Sequence, residues 1–262
     1  MTDDRAVLTR RAGAVTWVTL NRPAAMNAIT RPMHDELEAA FNAFADDPEQ
    51  RVCVVTGAGD KAFCAGSDIR DAVAHGLPVD YPPHGYAGLA ERFDCPKPFI
   101  AMVNGLALGG GFELALACDL VIAADHAQFG LPEPVIGAVA LGGGLHRIVR
   151  QLPLKLAMGL ILSSRRMPVA EAAALGLVNE VVPAAGLEAA VRRWCEDLLR
   201  AAPLALQASK ATALAGLDAA GIEAAMAAQR ELPIFKAWRA SADLVEGFTA
   251  FSEKRPPRWT GR

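Results

Sequence analysis

Over its first 124 residues the chain alternates between two hydrophobic periods, and that alternation constrains its fold more than any other feature. Apolar and β-branched runs at 7–9, 15–20, 52–56, 98–103 and 120–124 read as strands, and apolar residues at helical spacing lie between them. Such a rhythm predicts an α/β architecture in which parallel strands are joined by crossover helices. The first two runs, separated by Arg10-Arg11-Ala12-Gly13-Ala14, predict an opening hairpin. A helix is then expected from Thr30, a suitable N-cap, with Pro32 in its first turn. Met33, Leu37, Ala40, Phe41 and Phe44 form one face, and Asp46-Asp47-Pro48 ends it. The second cycle reads as strand, glycine-rich turn, helix at 112–117 and strand. Between the cycles, residues 71–94 contain Gly76, Pro78, Pro82, Pro83 and Gly85 and predict a mobile loop or lid.

From Val169 onward alanine, leucine, glutamate and arginine dominate. Helices are expected at 169–175, 187–201, 204–215 and from Ile222, with one short strand at 176–182. This divides the chain into an α/β core over 1–200 and a helical region over 201–262. The apolar faces of the latter exceed what one small sheet can cover, so self-association is expected.

With 52% hydrophobic and 21% charged residues among 262, the chain has enough apolar mass for one or two cores, which excludes global disorder. A net charge of −3 is too balanced for the basic field that nucleic acid binding requires, and no nucleic acid partner is expected. No apolar run reaches membrane-span length, and the start, Met1-Thr2-Asp3-Asp4-Arg5, is acidic. Both point to a soluble cytoplasmic protein without membrane association. The five cysteines, Cys53, Cys64, Cys95, Cys118 and Cys195, form no CxxC pair and no zinc spacing, and are expected to be reduced and packed among apolar neighbours.

No phosphate loop, GxSxG elbow or HExxH pair is present. Gly57-Ala58-Gly59-Asp60-Lys61-Ala62 matches GxGxxA after a predicted strand, but a dinucleotide turn must open directly into a helix, and Phe63-Cys64-Ala65-Gly66-Ser67-Asp68 intervenes. More informative is Gly109-Gly110-Gly111, which opens a helix whose first N–H groups are free to hold an oxyanion. The same glycines would equally let a helix pack tightly on a strand. Glu113 in the first helical turn and Glu133 twenty residues later form a pair suited to acid/base work beside a carbonyl. As alternatives, Glu113 complements the helix dipole and Glu133 is a solvated loop acid.

Four segments in order resemble the enoyl-CoA hydratase/isomerase (crotonase) family. They are Leu20-Asn21-Arg22-Pro23-Ala24-Ala25-Met26-Asn27-Ala28, Phe63-Cys64-Ala65-Gly66-Ser67-Asp68-Ile69, Asn104-Gly105 through Glu113, and Phe129-Gly130-Leu131-Pro132-Glu133 with Gly143-Gly144. The resemblance implies a spiral of ββα turns followed by an α-helical trimerisation region, assembled as a trimer or dimer of trimers. It further implies that the backbone N–H groups of Ser67 and Gly110 bind a thioester oxygen, and that Glu113 and Glu133 add or remove water across a 2,3-double bond. The implied substrate is an acyl-CoA thioester, so coenzyme A enters as part of the substrate and no separate cofactor or metal is needed. Arg22, Ala25, Ala65, Gly66, Asp68 and Ile69 match coenzyme A-binding positions, as do Phe251 and Lys254 near the end of the chain, and the resemblance allows the latter pair to serve a neighbouring subunit. Isomerases and CoA-ester hydrolases share the scaffold, and a non-catalytic acyl-CoA-binding protein is the reading from another class. Many family hydratases carry a proline and a threonine where this chain has Ala140 and Leu145, so it departs from the pattern where the acyl end is expected. His146 beside Arg147 reads as structural.

Overall fold

The computed structural model describes residues 4–76 and 80–262; the first three residues of the acidic start, and Pro78 of the expected lid, lie outside them. Strands β1 (Val7–Ala12) and β2 (Val15–Leu20) form the opening hairpin. The connection is only Gly13 and Ala14, because Arg10 and Arg11 pair with Trp17 and Thr16 and extend the first strand. Arg10 lies over the Trp17 ring at 5.0 Å, so charged stems cover apolar surface there. Helix α1 (Arg31–Asp46) follows as expected, with Met33, Leu37, Phe41 and Phe44 in the core. Thr30 holds an extended conformation at the N-cap, but its side chain makes no capping bond. Instead Asp71 Oδ2 accepts the Arg31 N–H at 2.9 Å.

The next strands are β3 (Val52–Gly57), β4 (Ala62–Cys64), β5 (Phe99–Val103), β6 (Leu106–Leu108), β7 (Leu120–Ala124), β8 (Gln128–Gly130), β9 (Met167–Pro168) and β10 (Glu180–Val182). They build two sheets: six strands in the order β1-β2-β3-β5-β7-β10, parallel from β2 onward, and four in the order β4-β6-β8-β9. From β3 to β8 each turn of the chain thus gives one strand to the large sheet and the next to the small one. The three-residue strands of the small sheet show no readable periodicity, and sequence alone assigns most of them to loops.

Two asparagines hold the corners between the sheets. Asn104 Nδ2 donates to the carbonyls of Gly57 at 2.9 Å and Gly59 at 2.7 Å, and Asn27 Nδ2 donates to those of Ala58 at 2.9 Å and Ala62 at 2.7 Å. A Cβ on Gly105 would stand 2.3 Å from the Lys61 carbonyl, so only glycine lets successive corners stack. This stacking disposes of the dinucleotide reading, since Gly57 ends β3 and its turn leads to β4 rather than to a helix.

The helices of the spiral are α2 (Ile69–His75), α3 (Gly110–Ala117), α4 (Gly144–Gln151), α5 (Leu154–Ser163) and α6 (Val169–Ala174). Helix α3 is buried from Gly110 through Leu116, which fits its continuous apolar run. The expected strand at 176–182 shortens to β10, because Asn179 turns the chain by exchanging hydrogen bonds with the main chain of Val121. Residues 71–94 are not a loose lid throughout. Helix α2 occupies their start, and Tyr86, Ala87, Leu89 and Ala90 are buried.

The chain forms two compact units, residues 1–93 with 99–193, and residues 94–98 with 194–262. Helix α7 (Leu187–Leu199) runs from one into the other, and the second also holds α8 (Pro203–Leu217), α9 (Ile222–Ala228), α10 (Pro233–Arg239) and α11 (Ala242–Ser252). The end of the chain is pinned within that unit: Asp243 accepts the N–H groups of Thr260 and Gly261, and Trp259 donates to the Arg200 carbonyl at 2.8 Å. None of the described helices is long and apolar enough to cross a membrane.

Candidate active site

The site is built in the first unit, where the segment after β4 meets the start of α3. Ile29 bridges the Ser67 segment by donating to the Gly66 carbonyl and accepting the Asp68 N–H, both at 2.8 Å. In such a parallel bridge the N–H of the central residue faces the other way. The amides of Ser67 and Gly110 have no acceptor among the described residues. They belong to abutting segments, for a Cβ on Gly66 would lie 3.2 Å from the Gly110 nitrogen, and Gly66 itself has φ +92°. Two unengaged N–H groups thus sit side by side at the mouth of a helix. The packing reading of the glycines holds at Gly111, where a Cβ would meet the Cys64 carbonyl at 2.0 Å. Cys64 is fully buried, and burial pushes its thiol up to about 12, so it packs rather than reacts.

The two carboxyl groups occupy contrasting surroundings. Glu113 is 2% exposed, too deep to act only as a dipole complement at a solvated helix end. Its Oε1 accepts the Gly144 N–H at 2.8 Å, and burial raises its pKa against the opposing pull of that bond, the Gly142 amide and the Arg147 charge. Glu133 opens a short 3-10 turn, Glu133–Ile136, and is not a solvated loop acid. Its Oε2 is buried without a hydrogen-bond partner among the described residues. Burial first, and then the nearby Glu113 charge, push its pKa up to about 7. A Cβ on Gly109 would lie 2.9 Å from Glu133 Oε1, so this carboxyl reaches the same glycine turn that presents Gly110. The two carboxyl groups thus sit in different environments, and the one raised to about 7 can exchange a proton near neutral pH.

Arg22 Nη1 pairs with Asp68 Oδ2 at 2.8 Å and donates to the Ala28 carbonyl at 2.6 Å, tying together two of the segments singled out from sequence. Asp68 also caps α2 by accepting the amides of Arg70 and Asp71, and together these contacts hold its pKa below the ordinary value. Ala65 donates to the Met26 carbonyl at 3.0 Å, which brings it beside the 3-10 turn Pro23–Ala25, and Ile69 begins α2 with an exposed side chain. Arg22, Ala25, Ala65, Gly66, Asp68 and Ile69 therefore form one neighbourhood. Phe251 and Lys254 belong to the second unit, at the end of α11, with Phe251 exposed and Lys254 at φ +53°. Ala140 is buried, Leu145 half-buried, and His146 exposed. No group of three or more His, Cys, Asp or Glu side chains among the described residues is disposed to hold a metal ion.

Two residues of this site were missed from the sequence. Arg147 donates to the Ala90 carbonyl at 2.6 Å and sets a positive charge near Glu113, and Tyr86 places its hydroxyl against Ser67 and Gly110. Neither stands in a recognisable motif, and only the buried conformation of residues 86–90 reveals them.

Comparison with known proteins shows the family. A family model described as enoyl-CoA hydratase/isomerase matches residues 10–262. The chain belongs to the enoyl-CoA hydratase/isomerase family. Among curated proteins it is similar to the carnitinyl-CoA dehydratase of Citrobacter koseri, 40% identical with 96% of this chain and 97% of that protein covered. It is 42% identical to the one from Salmonella arizonae, with the same coverage. Among solved structures it resembles an enoyl-CoA hydratase from Mycobacterium marinum, with a TM-score of 0.91 and 37% identity over 98% of this chain and 99% of that one. An enoyl-CoA hydratase from Mycobacterium tuberculosis gives the same TM-score and coverage at 35% identity. The α/β crotonase fold with its helical C-terminal region is shared with these structures.

Proposed function

We propose that this protein is an enoyl-CoA hydratase that adds water across the 2,3-double bond of a 2-enoyl-CoA thioester, reversibly. One observation carries the reading: two carboxyl groups in different environments, one reaching the Gly109 turn and the other in the helix that turn opens, accompany two free N–H groups on the abutting segments of Ser67 and Gly110. The thioester oxygen accepts the amides of Ser67 and Gly110. Glu113 takes a proton from water while the hydroxyl forms a bond to C3. The π pair of the double bond shifts toward the carbonyl, and the resulting enolate oxygen is stabilised by the two N–H groups. Glu133 then delivers its proton to C2. The net change is one water added, and solvent restores both carboxyl groups. Coenzyme A is bound as part of the substrate, and the steps use no metal or separate cofactor.

A second reading runs the same steps backwards on a 3-hydroxyacyl thioester. The identity of 40–42% to proteins named carnitinyl-CoA dehydratase favours it. Incubation with a panel of 2-enoyl-CoA and 3-hydroxyacyl-CoA thioesters in ¹⁸O water tests both. Label at C3 of the product from a 2-enoyl substrate is the expected result, and loss of one water from a 3-hydroxyacyl substrate supports the reverse direction. Label in a released acid would mean thioester hydrolysis, and a moved double bond without label would mean isomerisation; either overturns the proposal. The accompanying assembly, a trimer or dimer of trimers, is tested by sedimentation, where a 27.6 kDa monomer at micromolar concentration rejects it.

A further inference from the structure

Tyr86 is buried at 4% exposure, and it lies in a segment whose backbone is forced into an unusual course. Gly85 and Gly88 have φ of +73° and +65°, and Ala87, which has a side chain, has φ +55°. A non-glycine residue in that region is strained and persists only where its surroundings over-determine it. Here they do. His34 Nδ1 accepts the Ala87 N–H at 3.0 Å, and Gly88 packs so closely on α1 that a Cβ would stand 2.6 Å from the Glu38 backbone. His34 also meets the Tyr86 ring edge-to-face at 4.9 Å, and burial lowers its pKa to about 4, so Nδ1 stays an acceptor at neutral pH. The strained turn holds the Tyr86 ring inward.

The hydroxyl is delivered to one place. A Cβ on Gly110 would lie 2.2 Å from Tyr86 Oη and 2.3 Å from its Cζ, so the phenol fills the side-chain space that residue 110 leaves empty. Ser67 Oγ lies 3.2 Å from the same oxygen. Hydroxyl-to-hydroxyl hydrogen bonds centre near 2.7–2.8 Å and rarely exceed 3.0 Å, so this contact engages the phenol proton weakly. Burial, with Cys64, Glu113 and Tyr81 nearby, keeps the phenol protonated well above its ordinary range, so it can only be a neutral O–H group at working pH. The two residues it touches are the two whose amides point at the proposed thioester oxygen.

From this geometry we infer that Tyr86 is a third donor at the oxyanion position, its O–H turning from Ser67 Oγ to the thioester oxygen when substrate binds. The inference rests on the thioester reading above. It extends that reading from two main-chain donors to a side-chain donor whose strength can be tuned. A donor aimed where charge develops strengthens its bond as the enolate forms, and losing one such group commonly costs about 10²–10³ in turnover. With two amides remaining, Tyr86→Phe is expected to lower kcat/KM roughly 10- to 100-fold.

The deciding measurement is carbonyl polarisation rather than rate. A saturated short-chain acyl-CoA labelled with ¹³C at the thioester carbonyl is bound to the full-length protein, and the isotope-edited infrared shift of that carbonyl is recorded. Wild type is expected to lower the stretching frequency. Y86F is expected to show a smaller shift at similar thioester affinity and thermal midpoint, and 3-fluorotyrosine at position 86, a stronger donor, a larger one. A structural role for the phenol predicts no response to donor acidity. An unchanged shift in both variants overturns the inference, and so does a loss in Y86F with no gain from 3-fluorotyrosine, both leaving the two-amide site standing. Failure of the wild-type protein to bind or polarise the thioester overturns the underlying reading and this inference with it.

Discussion

Glu113 Oε1 accepts the main-chain N–H of Gly144 at 2.8 Å, and a Cβ on Gly144 would lie 2.7 Å from Glu113 Cγ. The first turn of α4 therefore both orients the deeper carboxyl and limits the room it has. Gly142 presses from the same side, where a Cβ would stand 2.8 Å from Glu113 Oε2. The Gly142-Gly143-Gly144 run thus has a physical reason, since it lets the backbone supply hydrogen bonds at a distance no side chain would permit.

Gly144→Ala is accordingly expected to displace the Glu113 carboxyl. Misplacing a reacting group by about 1 Å can cost on the order of 10² in rate, and overpacking costs about 1–3 kcal/mol of stability. Turnover and denaturant midpoint measured on one preparation check both effects. Full activity in G144A would mean that this contact does not position the carboxyl.

Replacing either carboxyl by its amide separates proton transfer from binding. Glu113→Gln and Glu133→Gln are each expected to lower hydration kcat by about 10²–10⁴ with much smaller changes in KM, because an amide keeps the size but cannot exchange the proton. Steady-state kinetics with a 2-enoyl-CoA substrate provide the test. Two fully active variants would sink the two-carboxyl mechanism, and one severe and one mild loss would favour isomerisation.

The pKa of Glu133, raised to about 7 by burial and by Glu113, places a pH dependence near neutrality. Hydration needs this carboxyl protonated, so its kcat/KM is expected to fall as pH rises through about 7; because no proton is consumed overall, the ratio of kcat/KM in the two directions is a pH-independent equilibrium constant, and dehydration is expected to fall in parallel. Stability follows the same proton. A carboxyl whose folded pKa lies above its unfolded value of 4.5 contributes stability that is fully present below 4.5 and is lost as pH rises past about 7. Relative to wild type, E133Q should therefore gain thermal stability at pH 8 over its standing at pH 4. A hydration kcat/KM that stays flat across the neutral range would contradict the assignment.

The corner asparagines are expected to matter for folding rather than chemistry. Asn104→Ala leaves the Gly57 carbonyl and amide and the Gly59 and Ala62 carbonyls without their shared partner. Unsatisfied buried groups cost about 1–3 kcal/mol each, with partial relief from relaxation, so a loss of roughly 2–4 kcal/mol is expected. At about 2–4 °C per kcal/mol the thermal midpoint should drop by roughly 5–15 °C, which calorimetry would read directly. A midpoint within about 2 °C of wild type would show that the corner is held by something else.

Sequence by itself determined the elements whose pattern repeats locally. The hairpin, α1, the parallel runs at β3, β5 and β7, and the apolar helix α3 each carry a period or a cap that physics reads without a partner. The glycines at 109–111 and the two glutamates were visible as residue types suited to oxyanion and proton chemistry, and their order along the chain marked the family. Tertiary structure alone decided the rest, because the rest depends on contacts between segments far apart in the chain. Three-residue strands such as β4 and β6 exist only because the Asn104 and Asn27 corners stack them. Glu133 moves from a possible surface acid to a group with a pKa of about 7 only because folding buries it beside Glu113. Tyr86 lies in a stretch whose glycines and prolines read as a mobile loop, and it reaches Gly110 only because Ala87 is held in a strained conformation by His34, more than fifty residues earlier in the chain. Local propensity cannot register a conformation that costs energy locally and is stabilised by packing elsewhere.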